Sequence, residues 1–231
     1  MLPPMLKIDF HTHTAEDPQD RIRYSARDLI DRAAGLGFDA LAVTNHNALT
    51  YRDDLRAYAE SKGLLLLPGT ELTMEGCHIL VINPGFPVAP DIRYRLADIS
   101  SLKTPDSLFI APHPFFAIFQ SLRSRLYPLL PEFDAIEFAS YHNRVVDFNA
   151  KAVRLAAEAG KPLVGTSDCH TVRQFGRTYA LVDADKTLAS IIGAVKAGRL
   201  EYRTRPISLL TMSRIVLSMF SLRKLSRLFE H

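Results

Sequence analysis

LKIDFHTH (6–13) is the stretch whose reading decides the fold. It reads as a short buried strand whose far end carries two histidines spaced by one residue. The same grammar repeats outward from it. SARDLIDRAAGLG (25–37) predicts a helix, with Ser25 as N-cap, Asp28 three residues on to complete a capping box, and Gly37 at the end. DALAVTN (39–45) predicts a second strand. Residues 50–62 predict a second helix capped by Thr50, with Asp53 three later and Gly63 as the stop. LLLLPGTEL (64–72), CHILVIN (77–83), LFIAPH (108–113), DAIEFAS (134–140) and KPLVGTSD (161–168) are further strands, and helical patterns fall at about 116–127 and 146–159. TYALVD (178–183) and LEYRTRP (200–206) read as edge strands around a helix at 186–197. Strands alternating with helices imply an α/β fold with parallel pairing, helices outside and a buried sheet.

The 231 residues are 47% apolar and 23% charged, which excludes a disordered or collagen-like chain. Cys77 and Cys169 are too few for a disulfide framework or a cysteine-rich zinc site. MLPPMLKIDF lacks an apolar leader core, so the expected compartment is the cytoplasm. The net charge of +3 is unevenly placed: residues 203–231 hold six basic side chains and one acid, and the remainder is mildly acidic. We therefore divide the chain into a body at 1–206 and a basic amphipathic helix at 207–231, packed on the body, on a second subunit or on a membrane surface. Its apolar run is short and interrupted by serines, which argues against a membrane span.

Seven of the eight histidines are read as lying at or just beyond the C-terminal end of a predicted strand, where loops of an α/β sheet or barrel build sites. His11 and His13 share one face of a strand, since side chains alternate with period two. Asp9 shares that face and is placed to orient a histidine. Asp168 and His170 repeat the spacing in SDCH, with Cys169 between them facing away as a buried thiol. His46 follows ALAVTN, Glu71 follows LLLLPGT, His78 opens the next strand, and His113 sits between Pro112 and Pro114. Asp17 lies on the first loop. One such residue is ordinarily structural, but nine at strand ends suggest metal ligands. Histidine and carboxylate without thiolate suit Mn²⁺, Fe²⁺ or Zn²⁺, and nine ligands are too many for one ion, so two or three divalent ions are expected.

The ordered set HTHT, Asp17, TNH, GTE, His78, APHP and SDCH resembles the PHP (polymerase and histidinol phosphatase) family of metal-dependent phosphoesterases, from residue 7 to about 180. The resemblance implies a distorted (β/α)₇ barrel, here with a C-terminal helical appendage. It implies a first metal on His11, His13, Glu71 and Asp168, with Glu71 bridging to a second held by His78 and His113. Asp17, His46 and His170 would complete a third site. Two departures stand out: Asn45 and Asn47 replace the carboxylates of the frequent T-D-H-D, and Glu16-Asp17-Pro18 replaces S-D-G.

The expected reaction is hydrolysis of a phosphomonoester or phosphodiester by water activated between metals. Arg144, Arg173 and Arg177 are phosphate-clamp candidates by position, and His142 is left over as an acid or a substrate contact. A small phosphorylated metabolite or nucleotide is the expected substrate; long nucleic acid is disfavoured by the acidic body and by the absence of a basic-aromatic stripe. Alternatives are a protein-tyrosine phosphatase of the PHP type, a metal-binding barrel without turnover, for which Asn45 and Asn47 speak, and amidohydrolase chemistry on a C–N bond.

Overall fold

The computed structural model describes residues 5–116, 120–143 and 147–207. The helix expected at 207–231 therefore lies, from residue 208 on, outside the described residues, as does Arg144. The elements in chain order are β1 (Leu6–Asp9), α1 (Ala26–Gly35), β2 (Ala40–Val43), α2 (Asp53–Ser61), β3 (Leu65–Met74) and β4 (Cys77–Ile82). Then follow α3 (Ile99–Leu102), β5 (Leu108–Ala111), α4 (Leu126–Leu129), β6 (Ala135–Ala139), α5 (Ala150–Ala159), β7 (Leu163–Thr166), β8 (Thr178–Val182), α6 (Leu188–Lys196) and β9 (Leu200–Thr204).

Among the described residues, these strands form one sheet in the order β7-β6-β5-β4-β3-β2-β1-β8-β9. The expectation of parallel pairing throughout fails at four junctions: β3–β4, β4–β5, β1–β8 and β8–β9 are antiparallel. The reason at β3–β4 is local. Only Glu75 and Gly76 separate the strands, both with positive φ, and a two-residue turn of that hand makes a hairpin and leaves no length for a crossover. β8 is no edge strand either, because it pairs with β1 on one side and β9 on the other.

The sheet curls until its ends nearly meet. A Cβ on Gly165 of β7 would lie 2.6 Å from Tyr202 Cβ of β9 and 2.9 Å from the Tyr179 carbonyl oxygen of β8. The Phe138 and Tyr202 rings stack at 4.5 Å across the same seam. At the mouth, Thr12 bridges Cys169 in parallel, and the Asp168 N–H donates to the His11 carbonyl at 2.9 Å. The architecture is an α/β barrel-like closed sheet. Gly165→Ala is expected to lower stability by about 1–3 kcal/mol, because backbone and a Cβ, not a flexible side-chain end, stand in the way. Urea denaturation measures this, and an unchanged midpoint would show that the seam has slack.

Period-two alternation divides the core. Leu80 and Ile82 of β4 face the barrel interior with Ile8, Phe10, Ala42, Leu67 and Ile110, while Ile79 and Val81 face the outer layer with Ile99, Leu126 and Leu155. α6 packs Ile191, Ile192, Ala194 and Val195 on the interior cluster. The Ser25 capping box forms as expected. Thr50 does not cap α2; Arg52 occupies that position without a side-chain capping bond, and the Thr50 hydroxyl accepts from Asn45 Nδ2 at 2.8 Å. The helix expected at 116–127 is replaced, among the described residues, by α4 flanked by 3-10 turns at Arg123–Arg125 and Leu130–Glu132. Arg123 sits at φ 52°, which interrupts the helical path, and Pro131 cannot extend it. No helix among the described residues is long and apolar enough to cross a membrane.

Candidate metal centre

Beyond β1 the chain stays extended through His13, so His11 and His13 project to the same side. The backbone is pinned there by Thr12, whose hydroxyl donates to the Ala42 carbonyl at 2.7 Å. His11 Nδ1 lies 2.7 Å from Glu137 Oε1, and His13 Nδ1 lies 3.0 Å from Asp17 Oδ2. A ring that donates from Nδ1 to a carboxylate presents its lone pair at Nε2. The two Nε2 atoms lie 3.1 Å apart. Glu71 Oε2 is 3.4 and 3.3 Å from them, and Asp168 Oδ1 is 3.5 and 3.4 Å. His46 Nε2 approaches Glu71 Oε2 at 3.0 Å. The other Glu71 oxygen, Oε1, is 2.9 Å from His78 Nδ1 and 3.1 Å from His113 Nε2. One buried carboxylate thus stands between two sets of imidazoles.

Three triads bring ligand atoms within 4.8 Å of one another: His11, His13 and Asp168; His13, Asp17 and His46; His46, Glu71 and His78. Asp168 Oδ1 and His78 Nδ1 are buried and have no hydrogen-bond partner. Convergent acceptors without donors are costly unless a cation joins them. The donor set therefore fits divalent metal.

The strain in the backbone sits at the same place. His113 has φ 27° and Asp168 φ 44°, conformations that a non-glycine residue holds only when its surroundings enforce them. Pro112 and Pro114 flank the first; for the second, the Asp168 N–H is held by the His11 carbonyl. Asn45 bonds the Thr14 N–H through Oδ1 and both the Thr14 and Thr50 hydroxyls through Nδ2. Asn47 likewise clamps Thr73. The two amides tie the β2 loop to its neighbours.

Burial opposes charge throughout the cluster, yet the mutual attraction prevails. His11 is held well above its usual pKa by Asp168, Glu71 and Glu137, and His13 by Asp168, Asp17 and Glu71. Burial and the neighbouring His13 work against charge on His46, but Glu71 and Asp17 raise it to about 9. Glu71 is pushed well below the carboxylate range by His78, His11 and His46. Burial, with His46 and His113 adding to it, moves His78 down, and burial takes Asp9 up to about 7. A proton on His46 competes with metal at every pH below about 9. Metal affinity of the stripped chain is therefore expected to rise with pH, by about tenfold per unit for each proton displaced between pH ~6.5 and ~8.5. Titration of Zn²⁺ or Mn²⁺ at several pH values measures this, and a flat profile would contradict it.

Several residues fall elsewhere than the sequence suggests. Asp9 does not touch an imidazole; its Oδ1 accepts from the His11 and Ser167 N–H groups. His142 Nε2 bonds the Thr204 hydroxyl at 2.6 Å with its ring against Phe138, and no hydrogen bond or ion pair joins it to the cluster. The Arg177 guanidinium bonds the carbonyls of Arg173 and Pro206, and Arg173 is exposed. Cys169 is buried against the Tyr24 hydroxyl, its thiol pushed by burial up to about 11. Two acids escaped the sequence reading. Glu137 accepts from His11, from the Thr166 hydroxyl and from the His113 N–H. Its signal was present, as the one charge inside the apolar run of DAIEFAS. Asp20, 3.0 Å from His170 Nε2, had none beyond its nearness to Asp17.

The fold and site together define a barrel of the α/β class with a histidine–carboxylate centre at its mouth. Residues 147–200 match the family model described as PHP-associated. The chain is 34% identical over 83 residues to the DNA polymerase III PolC-type of Staphylococcus saprophyticus, a stretch that is 36% of this chain and 5% of that protein. Among solved structures it is similar to a two-domain protein of Bacteroides vulgatus containing a predicted PHP-like metal-dependent phosphoesterase, with TM-score 0.67, 21% identity and coverage of 94% of this chain and 72% of that one. PsfC of Pseudomonas syringae aligns with TM-score 0.62 and 20% identity over 96% of this chain and 99% of that one. Endonuclease Q, in complex with a duplex bearing an abasic lesion, aligns with TM-score 0.54 and 16% identity over 84% and 57%. The likeness to these structures shows the fold, an α/β barrel of the kind seen in the PHP-like phosphoesterase of Bacteroides vulgatus.

Proposed function

We propose that the chain is a metal-dependent phosphoesterase acting on a phosphomonoester or phosphodiester of a small metabolite or nucleotide. The observation that carries this is the convergence of ligand atoms at Glu71: three imidazole nitrogens around Oε2, two around Oε1, and the unpartnered Asp168 Oδ1 beside them. His11, His13, Glu71 and Asp168 would hold one ion, and Glu71, His78 and His113 a second. When bound, divalent ions activate water near neutral pH and offset charge on the transferring phosphoryl group. The protein's own part is to fix the ligands. Glu137 and Asp17 set which nitrogen of His11 and His13 faces the centre. Depth within the barrel mouth screens the site from bulk water, which strengthens every charge interaction in it. The working unit is residues 1–206, with 207–231 as an amphipathic appendage.

A second reading, cleavage at a nucleic-acid phosphodiester, draws support from the likeness to a PolC-type polymerase and to endonuclease Q with its duplex. An aryl phosphate, a dinucleotide and an oligonucleotide, each tested with Mn²⁺, Fe²⁺ and Zn²⁺, separate the two. His13→Ala and Asp168→Ala are expected to abolish phosphate release from the aryl ester and to lower bound metal. Unchanged turnover in either variant, on protein of verified metal content, would overturn the site.

A further inference from the structure

We infer, on the reading above that this is a metal-dependent hydrolase, that the loaded centre holds two ions rather than three. Asp17, Asp20 and His170 then serve as an outer hydrogen-bonded layer. Asp17 is saturated by the protein itself. Its Oδ1 accepts from the N–H groups of Gln19 and Asp20 at 2.8 and 3.0 Å. Its Oδ2 accepts from the His46 N–H at 2.9 Å and faces His13 Nδ1 and His46 Nδ1 at 3.0 and 2.9 Å. A carboxylate offers about four lone-pair directions, and five nitrogens already crowd them, two at Oδ1 and three at Oδ2.

The histidines lead to the same count. A neutral imidazole has one lone pair, on the nitrogen that carries no proton. With Nδ1 given to Asp17, His13 directs its lone pair at His11, Glu71 and Asp168. His46 directs its own at Glu71 Oε2. Neither has a second lone pair for another ion. His170 faces oxygen at both nitrogens: Nε2 lies 3.0 Å from Asp20 Oδ2, and Nδ1 lies 3.1 Å from the Asp168 carbonyl and 3.5 Å from Asp168 Oδ1. Both of its nitrogens therefore face protein oxygens. His170 also belongs to none of the triads whose ligand atoms converge among the described residues. Asp20 and His170 are the more solvent-open members of the cluster, at 30% and 15% side-chain exposure, which places this pair at the rim.

The outer layer has a definite task. Asp17 orients two imidazoles from two different loops toward Glu71, and Asp20 keeps His170 beside Asp168. Removing such a partner weakens metal affinity by about 10–100-fold without removing a ligand.

The test is the metal count of the whole chain. Protein saturated with Zn²⁺ or Mn²⁺ and freed of excess by gel filtration is expected to hold two ions per chain by elemental analysis. Asp17→Asn, Asp20→Asn and His170→Ala are each expected to keep that count at saturating metal while binding about 10–100-fold more weakly. Three ions in the wild type, or loss of one ion at saturation in any of these variants, overturns the two-ion centre and leaves the phosphoesterase reading standing. One ion or none in the wild type overturns both.

Discussion

Glu71→Gln is expected to remove metal-dependent turnover, by about 10³-fold or more in kcat/KM, a loss of roughly 4 kcal/mol in transition-state stabilisation. The substitution keeps the volume and takes away the charge. In the native chain both Glu71 oxygens are acceptors facing five imidazole nitrogens at 2.9–3.4 Å, and the residue is 1% exposed. An amide puts an N–H₂ group where one of those oxygens stands, and that group cannot ligate a cation. Metal content is therefore expected to fall together with activity. The metal-free variant carries a further signature. Histidine neighbours hold the Glu71 carboxyl well below its ordinary 4.5, so its contribution to stability is present above that value and is lost as pH falls through the lower, folded one. Without metal, Glu71→Gln is expected to be less stable than wild type at neutral pH, with the gap closing in acid. Wild-type turnover and metal content in this variant would remove Glu71 from the centre.

Glu137→Ala carries the second large effect, this time through positioning. Glu137 is fully buried on β6 and takes three donors, the His11 ring at 2.7 Å, the Thr166 hydroxyl at 2.5 Å and the His113 N–H at 2.5 Å. Truncation leaves these donors unsatisfied in a dry interior, at about 1–3 kcal/mol for an unsatisfied group and about 3–5 kcal/mol for breaking a buried pair. It also frees the His11 ring to turn and unpins the strained backbone at His113. A loss of about 10–100-fold in metal affinity is expected beyond the loss of stability. Glu137→Gln separates the two effects: with its carbonyl oxygen in the place of Oε2 it still accepts from the His113 N–H, and its N–H₂ in the place of Oε1 can donate to the Thr166 hydroxyl oxygen but cannot accept from His11, so the fold should suffer less than the metal affinity. Urea denaturation and Zn²⁺ titration on the same samples measure both. A glutamine variant with wild-type affinity would show that His11 needs no anchor from β6.

The Glu71 and Glu137 cases show which parts of the centre are legible in a linear chain. Glu71 is visible because it ends an apolar run and belongs to an ordered set of polar residues at strand ends. Glu137 stands inside its run rather than at its end, and its partners are 126, 29 and 24 positions away in sequence. Asp20 and His170 meet across 150 positions. Nothing in local spacing registers such contacts. His142 is the converse case. It follows a strand like the others, but its ring turns to Thr204 on β9, because β9 lies against the seam that β7 closes. The helix expected at 116–127 fails for a similar reason: its apolar spacing is adequate, yet Arg123 in a left-handed conformation breaks it, and the Arg123 N–H bonds the Pro114 carbonyl instead.

The alternation of strand and helix, the capping box at Ser25, the one-face projection of His11 and His13, and the ordered polar set at strand ends follow from the sequence by itself. They depend on period and on neighbours in the chain, which are properties of the covalent order. Strand direction, barrel closure at Gly165, and the contacts of Glu137 with His11 and of Asp17 with His13 and His46 were decided only by the tertiary structure. Each depends on which lone pair meets which proton across distant segments, and that meeting exists only once the sheet has curled and brought its ends together.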